Sequence, residues 1–88
     1  MLNSVILTVK IERTELEYDM EFPANIPGGL LCAKLLTALN NIEYEIFRTI
    51  EKINIIIERT GKPLGEEQTL EEAEAWDGGR VTVVKCGW

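Results

Sequence analysis

The chain contains no histidine, which removes the usual general base at neutral pH and the commonest nitrogen ligand for zinc. It has only two cysteines, Cys32 and Cys86, too few for a disulfide framework and without the paired spacing of a zinc site. They read as ordinary reduced thiols, the alternative being a redox or reactive thiol. Basic residues are scarce, 9 against 15 acidic, for a net charge of −6. Phosphate backbones and anionic lipid surfaces repel such a chain, so nucleic acid is not an expected partner. The longest uncharged stretch, Phe22 to Ala33, is too short for a bilayer span and carries two prolines and two glycines, so no membrane insertion is expected. The N-terminus lacks a basic region leading into an apolar stretch, and a cytoplasmic location is therefore expected. Gly28-Gly29 is followed by no lysine and serine or threonine of a P-loop, so a phosphate cradle is not read there.

The 88 residues, 45 % hydrophobic and 27 % charged, fit one compact domain over 1–88. A domain of this size buries only about 60 % of its unfolded surface, so its few apolar faces must be well placed. Leu16, Tyr18, Met20 and Phe22 alternate with Glu17, Asp19 and Glu21, the period of a strand with one buried face. Val5, Leu7, Val9 and Ile11 repeat the pattern just upstream. The polar connection Glu12-Arg13-Thr14 makes the two strands a hairpin.

Pro23 and Pro27 bracket a loop, after which Leu31, Leu35, Ala38, Leu39 and Ile42 recur at helical spacing. Pro27 suits the first turn of that helix, whereas Gly28 and Gly29 weaken it. Asn40 and Asn41 are candidate terminators. The apolar rhythm continues through Ile46 and Ile50, leaving open either an extended helix or a second short one over 40–52. Ile53 to Ile57 is a β-branched strand, ended by Gly61-Lys62-Pro63. Thr69 is placed to cap a short helical turn over Leu70 to Ala75, with Glu71 and Glu72 at its positive end. Asp77-Gly78-Gly79 is a tight turn into a last strand containing Val81, Val83 and Val84. The predicted architecture is α+β, a mixed sheet of four to five strands packed on one main helix.

At this point the residues resemble a family. Gly61-Lys62-Pro63-Leu64, Thr69-Leu70 and the strand Val81 to Lys85 are similar to the second half of ubiquitin, which implies a ubiquitin-like β-grasp fold. Phe22-Pro23-Ala24-Asn25-Ile26-Pro27 with Leu30-Leu31, and Thr69-Leu70-Glu71-Glu72-Ala73 with Asp77-Gly78-Gly79, are similar to the YukD-like family of type VII (Trp-x-Gly) secretion systems. That resemblance implies a bacterial cytoplasmic accessory or regulatory module that is not an enzyme, needs no cofactor and acts by contact with secretion-system proteins. The alternatives are a sulfur carrier or protein modifier, and a ubiquitin-like interaction domain unrelated to secretion. A modifier presents a flexible C-terminal diglycine, whereas this sequence reads Lys85-Cys86-Gly87-Trp88, so conjugation is not expected.

Carried over by position, the apolar recognition patch of ubiquitin falls on Glu58 and Val84. The charge at its centre implies weakened recognition by ordinary ubiquitin receptors, so that any partner surface here differs from theirs. The expected partner-binding residues are Ile6, Ile56, Glu58, Thr82 and Val84, against a reading of them as scattered surface residues. The last strand, with Val83-Val84-Lys85, is expected to be an exposed edge open to homodimer pairing. Trp76-Asp77-Gly78 is a Trp-x-Gly tripeptide, but the strand-like residues after it exclude a helical hairpin, and Trp76 is expected partly buried under the final turn. The acidic residues lack the spacing of a calcium loop and read as a solvated face.

Overall fold

The computed structural model describes residues 4–86. Gly87 and Trp88, on which the expectation of no conjugation rests, lie outside the described residues. The elements are β1 (Ser4–Ile11), β2 (Glu17–Pro23), α1 (Gly28–Ile42), α2 (Tyr44–Phe47), β3 (Lys52–Ile57), β4 (Lys62–Pro63) and β5 (Arg80–Cys86). The strands form one mixed sheet in the order β2-β1-β5-β3-β4, the five-stranded form of the expected α+β architecture.

The hairpin follows from its alternation. Val5, Leu7, Val9 and Ile11 are all buried, while Glu17, Asp19 and Glu21 are exposed. Arg13 adopts a left-handed φ of 64°, and the Thr14 hydroxyl donates to the Ile11 carbonyl at 2.8 Å while accepting the Leu16 N–H at 3.0 Å. That hydroxyl ties the turn from within, as serine and threonine do in short loops.

α1 begins after Pro27 with no side-chain cap. Its first amides are satisfied from elsewhere in the chain: Gly28 donates to the Gln68 carbonyl and Gly29 to the Glu66 carbonyl, each at 2.8 Å. Such partners are needed because the first amides of a helix have none within it. The glycines are explained by this approach. A Cβ on Gly28 would lie 2.1 Å from the Gly65 carbonyl oxygen and 2.8 Å from Leu64 Cγ, so any side chain drives the loop away.

Leu31, Leu35 and Leu39 form the buried stripe of α1. Asn40 and Asn41 do not end the helix, which runs to Ile42 and breaks at Glu43, where φ is −132°. The open question over residues 40–52 resolves as a second, one-turn helix, α2. Ile42 is 49 % exposed, and the large side chain buried in this region is instead Phe47, at 0 %. One core joins the inner faces of β1, β3 and β5 to α1, Phe47, Leu64 and Leu70.

The expectation of an exposed last strand is overturned. β5 lies inside the sheet, parallel to β1 through Val9↔Val81 and Ile11↔Val83, and antiparallel to β3 from Lys52↔Cys86 to Ile57↔Val81. Pairing with β1 takes the groups a second copy would have used, so a homodimer through this strand has no basis. The edges are β2 and the two-residue β4.

Before β5, Thr69 and Glu72 cap each other reciprocally, Glu72 N–H to Thr69 Oγ1 at 3.1 Å and Thr69 N–H to Glu72 Oε1 at 2.9 Å, a capping box. The turn closes at Glu74, whose φ of 60° lets the Ala75 N–H reach the Leu70 carbonyl at 3.0 Å.

Gly28→Ala gains helix propensity of up to about 1 kcal/mol but meets a backbone carbonyl. Net destabilisation of about 1–3 kcal/mol is expected, read as a lower urea midpoint with an unchanged slope. Gly29→Ala, whose nearest neighbour would be the Glu66 side chain at 2.9 Å, is expected to be milder.

Candidate functional site

The sheet face turned away from α1 carries the residues singled out from the sequence. Ile56 and Thr82 are a direct cross-strand pair, Asn54 pairs with Val84, and the Glu58 N–H donates to the Arg80 carbonyl at 3.2 Å. Ile56, Thr82, Val84 and Glu58 therefore share one region, with the first three half-buried and Glu58 exposed. Ile6 does not join them. Since Thr8 aligns with Arg80, Ile6 lies level with Gly78 and Val84 level with position 12. Six residues of strand, about 20 Å, separate the two.

Between them lies Arg80, which the sequence reading did not select. Its guanidinium reaches Glu17 on β2 at 2.5 Å and Glu58, just past the end of β3, at 3.4 Å. The Glu17 hydrogen bond, then its charge, raise the Arg80 pKa further above its ordinary range. Arg80 thus spans three strands and separates the half-buried Ile56–Val84 region from the Ile6 end. Nothing local marks it, because its partners are 63 and 22 positions away.

At the Ile6 end the turn is docked on β1. The Ile6 N–H donates to Asp77 Oδ1 at 2.6 Å, Gly78 N–H to the Ile6 carbonyl at 2.8 Å, and Thr8 N–H to the Gly79 carbonyl at 2.9 Å. Gly78 takes a φ of +86°, which an L side chain resists. Trp76, expected partly buried, is 58 % exposed. It packs instead against Arg59, whose guanidinium carbon lies 3.7 Å from the ring centroid, and Glu74 pairs with that arginine at 3.7 Å. The indole is held from the surface side by a cation. Ile6, at 51 % exposure, stands at the same end of the sheet.

No known family profile matches the chain, and no curated protein matches it. Among solved structures, the EccD5 ubiquitin-like domain from Mycobacterium xenopi superposes with a TM-score of 0.76 at 18 % identity, covering 97 % of each chain. A chain of the MycP5-free ESX-5 inner membrane complex gives 0.78 at 20 % identity, covering 99 % of this chain and 22 % of that one. Caldiarchaeum subterraneum ubiquitin gives 0.64 at 14 % identity over 97 % of this chain and 96 % of its own. The fold is the ubiquitin-like β-grasp. The neighbours include EccD ubiquitin-like domains of mycobacterial type VII secretion systems.

On the helix side of this ubiquitin-like domain, a groove runs between α1 and the start of β3, lined by Cys32, Leu36, Ile53 and Leu64. Burial pushes the Cys32 thiol above its usual range, and the Ile55 amide opposes that in part. Tyr18 on β2 donates its hydroxyl to Glu43, and that carboxylate raises the phenol's pKa, tying β2 to the α1–α2 junction. Among the described residues no group of three or more carboxylate or thiol side chains is arranged to hold a metal ion, and no helix is long and apolar enough to cross a membrane.

A double-mutant cycle on Arg59→Ala and Trp76→Ala is expected to give a coupling of about 0.5–1 kcal/mol, the size of an exposed cation–π pair, with each single variant still folding cooperatively. A raised pKa leaves less thiolate at a given pH, so Cys32 is expected to react with iodoacetamide more slowly than an unstructured cysteine peptide at pH 8, and to equalise in denaturant. Mass spectrometry of the alkylated chain reads this directly.

Proposed function

We propose that this chain is a YukD-like, non-enzymatic cytoplasmic accessory or regulatory module of a type VII secretion system, acting by protein–protein contact and not by conjugation to targets. One observation carries the reading: a secretion-system ubiquitin-like domain, that of EccD5, matches nearly end to end. A neighbour within an inner membrane complex supports partners among the inner-membrane components of such a machine. The motifs Phe22 to Pro27 and Thr69 to Ala73, with their following turn, point the same way.

The region around Ile56, Glu58, Thr82 and Val84 is the contact surface we assign to it, with Ile6 as a separate point near Trp76. A flat strand face with half-buried apolar residues flanked by charge suits recognition of another protein, with the apolar part contributing area and the charges orientation.

The test is purification of the tagged chain from its native host with intact-mass analysis. Recovery of secretion-system inner-membrane proteins with the chain unmodified is the expected result. A chain truncated to a terminal glycine, or covalently joined to other proteins, would replace the reading with that of a carrier or modifier. Ile56→Asp with Val84→Asp is expected to lower recovery at least about tenfold while leaving the far-ultraviolet dichroism unchanged.

A further inference from the structure

Among the described residues the outer edge of β2 has no partner strand, and its chemistry specifies what can add to it. The Ile11 N–H donates to the Leu16 carbonyl at 3.1 Å, and β1 and β2 pair as Val9↔Tyr18, Leu7↔Met20 and Val5↔Phe22. Backbone groups alternate sides along a strand, so Leu16, Tyr18, Met20 and Phe22 bond to β1. The N–H and C=O groups of Glu17, Asp19 and Glu21 point outward. On the other edge of β1, the Thr8 N–H donates to the Gly79 carbonyl and the Glu12 N–H to the Val83 carbonyl, which confirms the parity of β1.

The same three residues have exposed acidic side chains on the outer face, while Leu16, Tyr18 and Met20 lie partly buried on the inner face against the core. One row of free backbone groups is thus bordered by carboxylates on one side and half-covered apolar side chains on the other. The opposite edge offers no equivalent. β4 is two residues long and includes Pro63, and on β3 the pairing of the Leu64 N–H with the Ile55 carbonyl leaves only Ile53 facing the unpaired stretch.

We infer that the β2 edge is a strand-addition site for an extended protein segment that alternates basic and apolar residues, its basic side chains facing Asp19 and Glu21. Those carboxylates accept from the neutral hydroxyls of Thr8 and Ser4, beside a Glu17 already paired with Arg80. Main-chain bonds supply register and the alternation supplies selectivity. A second copy of this chain is a poor occupant, because its own β2 would set carboxylates against carboxylates, the device by which natural sheets protect their edges. The site follows from the sheet alone and does not rest on the secretion reading.

The experiment uses the isotope-labelled full chain and a capped peptide of alternating lysine and valine, about seven residues long to match the strand. The expected result is saturable amide shifts and slowed hydrogen exchange at Glu17, Asp19 and Glu21, with the amides of Tyr18 and Met20, already bonded to β1, little changed in exchange. Replacing lysine by glutamate in the peptide is expected to weaken binding at least about tenfold. Asp19→Pro removes one outward N–H and tolerates an edge position, so it is expected to fold and lose the peptide. Absence of shifts at millimolar peptide, equal binding of the glutamate peptide, or edge binding retained by folded Asp19→Pro would each overturn the inference. Should Asp19→Pro fail to fold, the two peptides on the unaltered chain decide it.

Discussion

The parallel pairing of β1 with β5 is the contact on which the rest depends. Without it the chain holds two unconnected pieces, the β1–β2 hairpin and the β3–β5 pair, each with one apolar face and nothing to close it. Val9↔Val81 and Ile11↔Val83 join strands more than 70 positions apart and set the two inner faces in one plane. Only then does α1 have a continuous surface on which to lay Leu31, Leu35 and Leu39. Closing so long a loop costs entropy before any burial offsets it, so the junction must be well specified. The docked turn supplies that specification: Asp77, Gly78 and Gly79 together make three hydrogen bonds to the β1 backbone at Ile6 and Thr8 just before β5 begins.

Where one face of an element is buried by its own periodicity, the sequence reading reached the structure. The β1–β2 alternation, the α1 stripe, the β3 run and the Thr69 cap are local signals, and each was found near its expected bounds. The glycines at 28 and 29 looked like defects by propensity and are requirements by packing, because the partner they accommodate, the loop at Gly65 and Glu66, is more than 30 positions away. Phe47 was passed over for the same reason. A single buried residue in a one-turn helix has no period to show, and only the space left between α1 and the sheet determines that it is buried.

The candidate site was harder to read than the fold. Parity correctly sent Ile6, Ile56, Thr82 and Val84 to the outer face, since it follows from the buried neighbours of each. It could not place them relative to one another, because that depends on strand order and register between β1 and β5. Arg80 divides the face, and its two carboxylate partners come from β2 and from the turn just past β3. Trp76 is exposed where partial burial under the final turn is expected, because its cover comes from above, from Arg59. That arginine's own carboxylate partner, Glu74, sits in a left-handed conformation at the end of the capped turn.

Identities of 18–20 % with TM-scores of 0.76–0.78 fit this division of labour. What holds the ubiquitin-like fold is a pattern: alternation on four strands, a stripe on one helix, and glycine where backbones approach. Many apolar sequences satisfy it, since cores of matched volume and patterning tolerate wide substitution. The outward residues are released from that pattern, and on a shared fold they are where partner choice is written. In this chain they resolve into a bridged charge line at Arg80, a half-buried aliphatic region beside it, and an acidic border on β2. The function therefore has to be read from surfaces that the core leaves free.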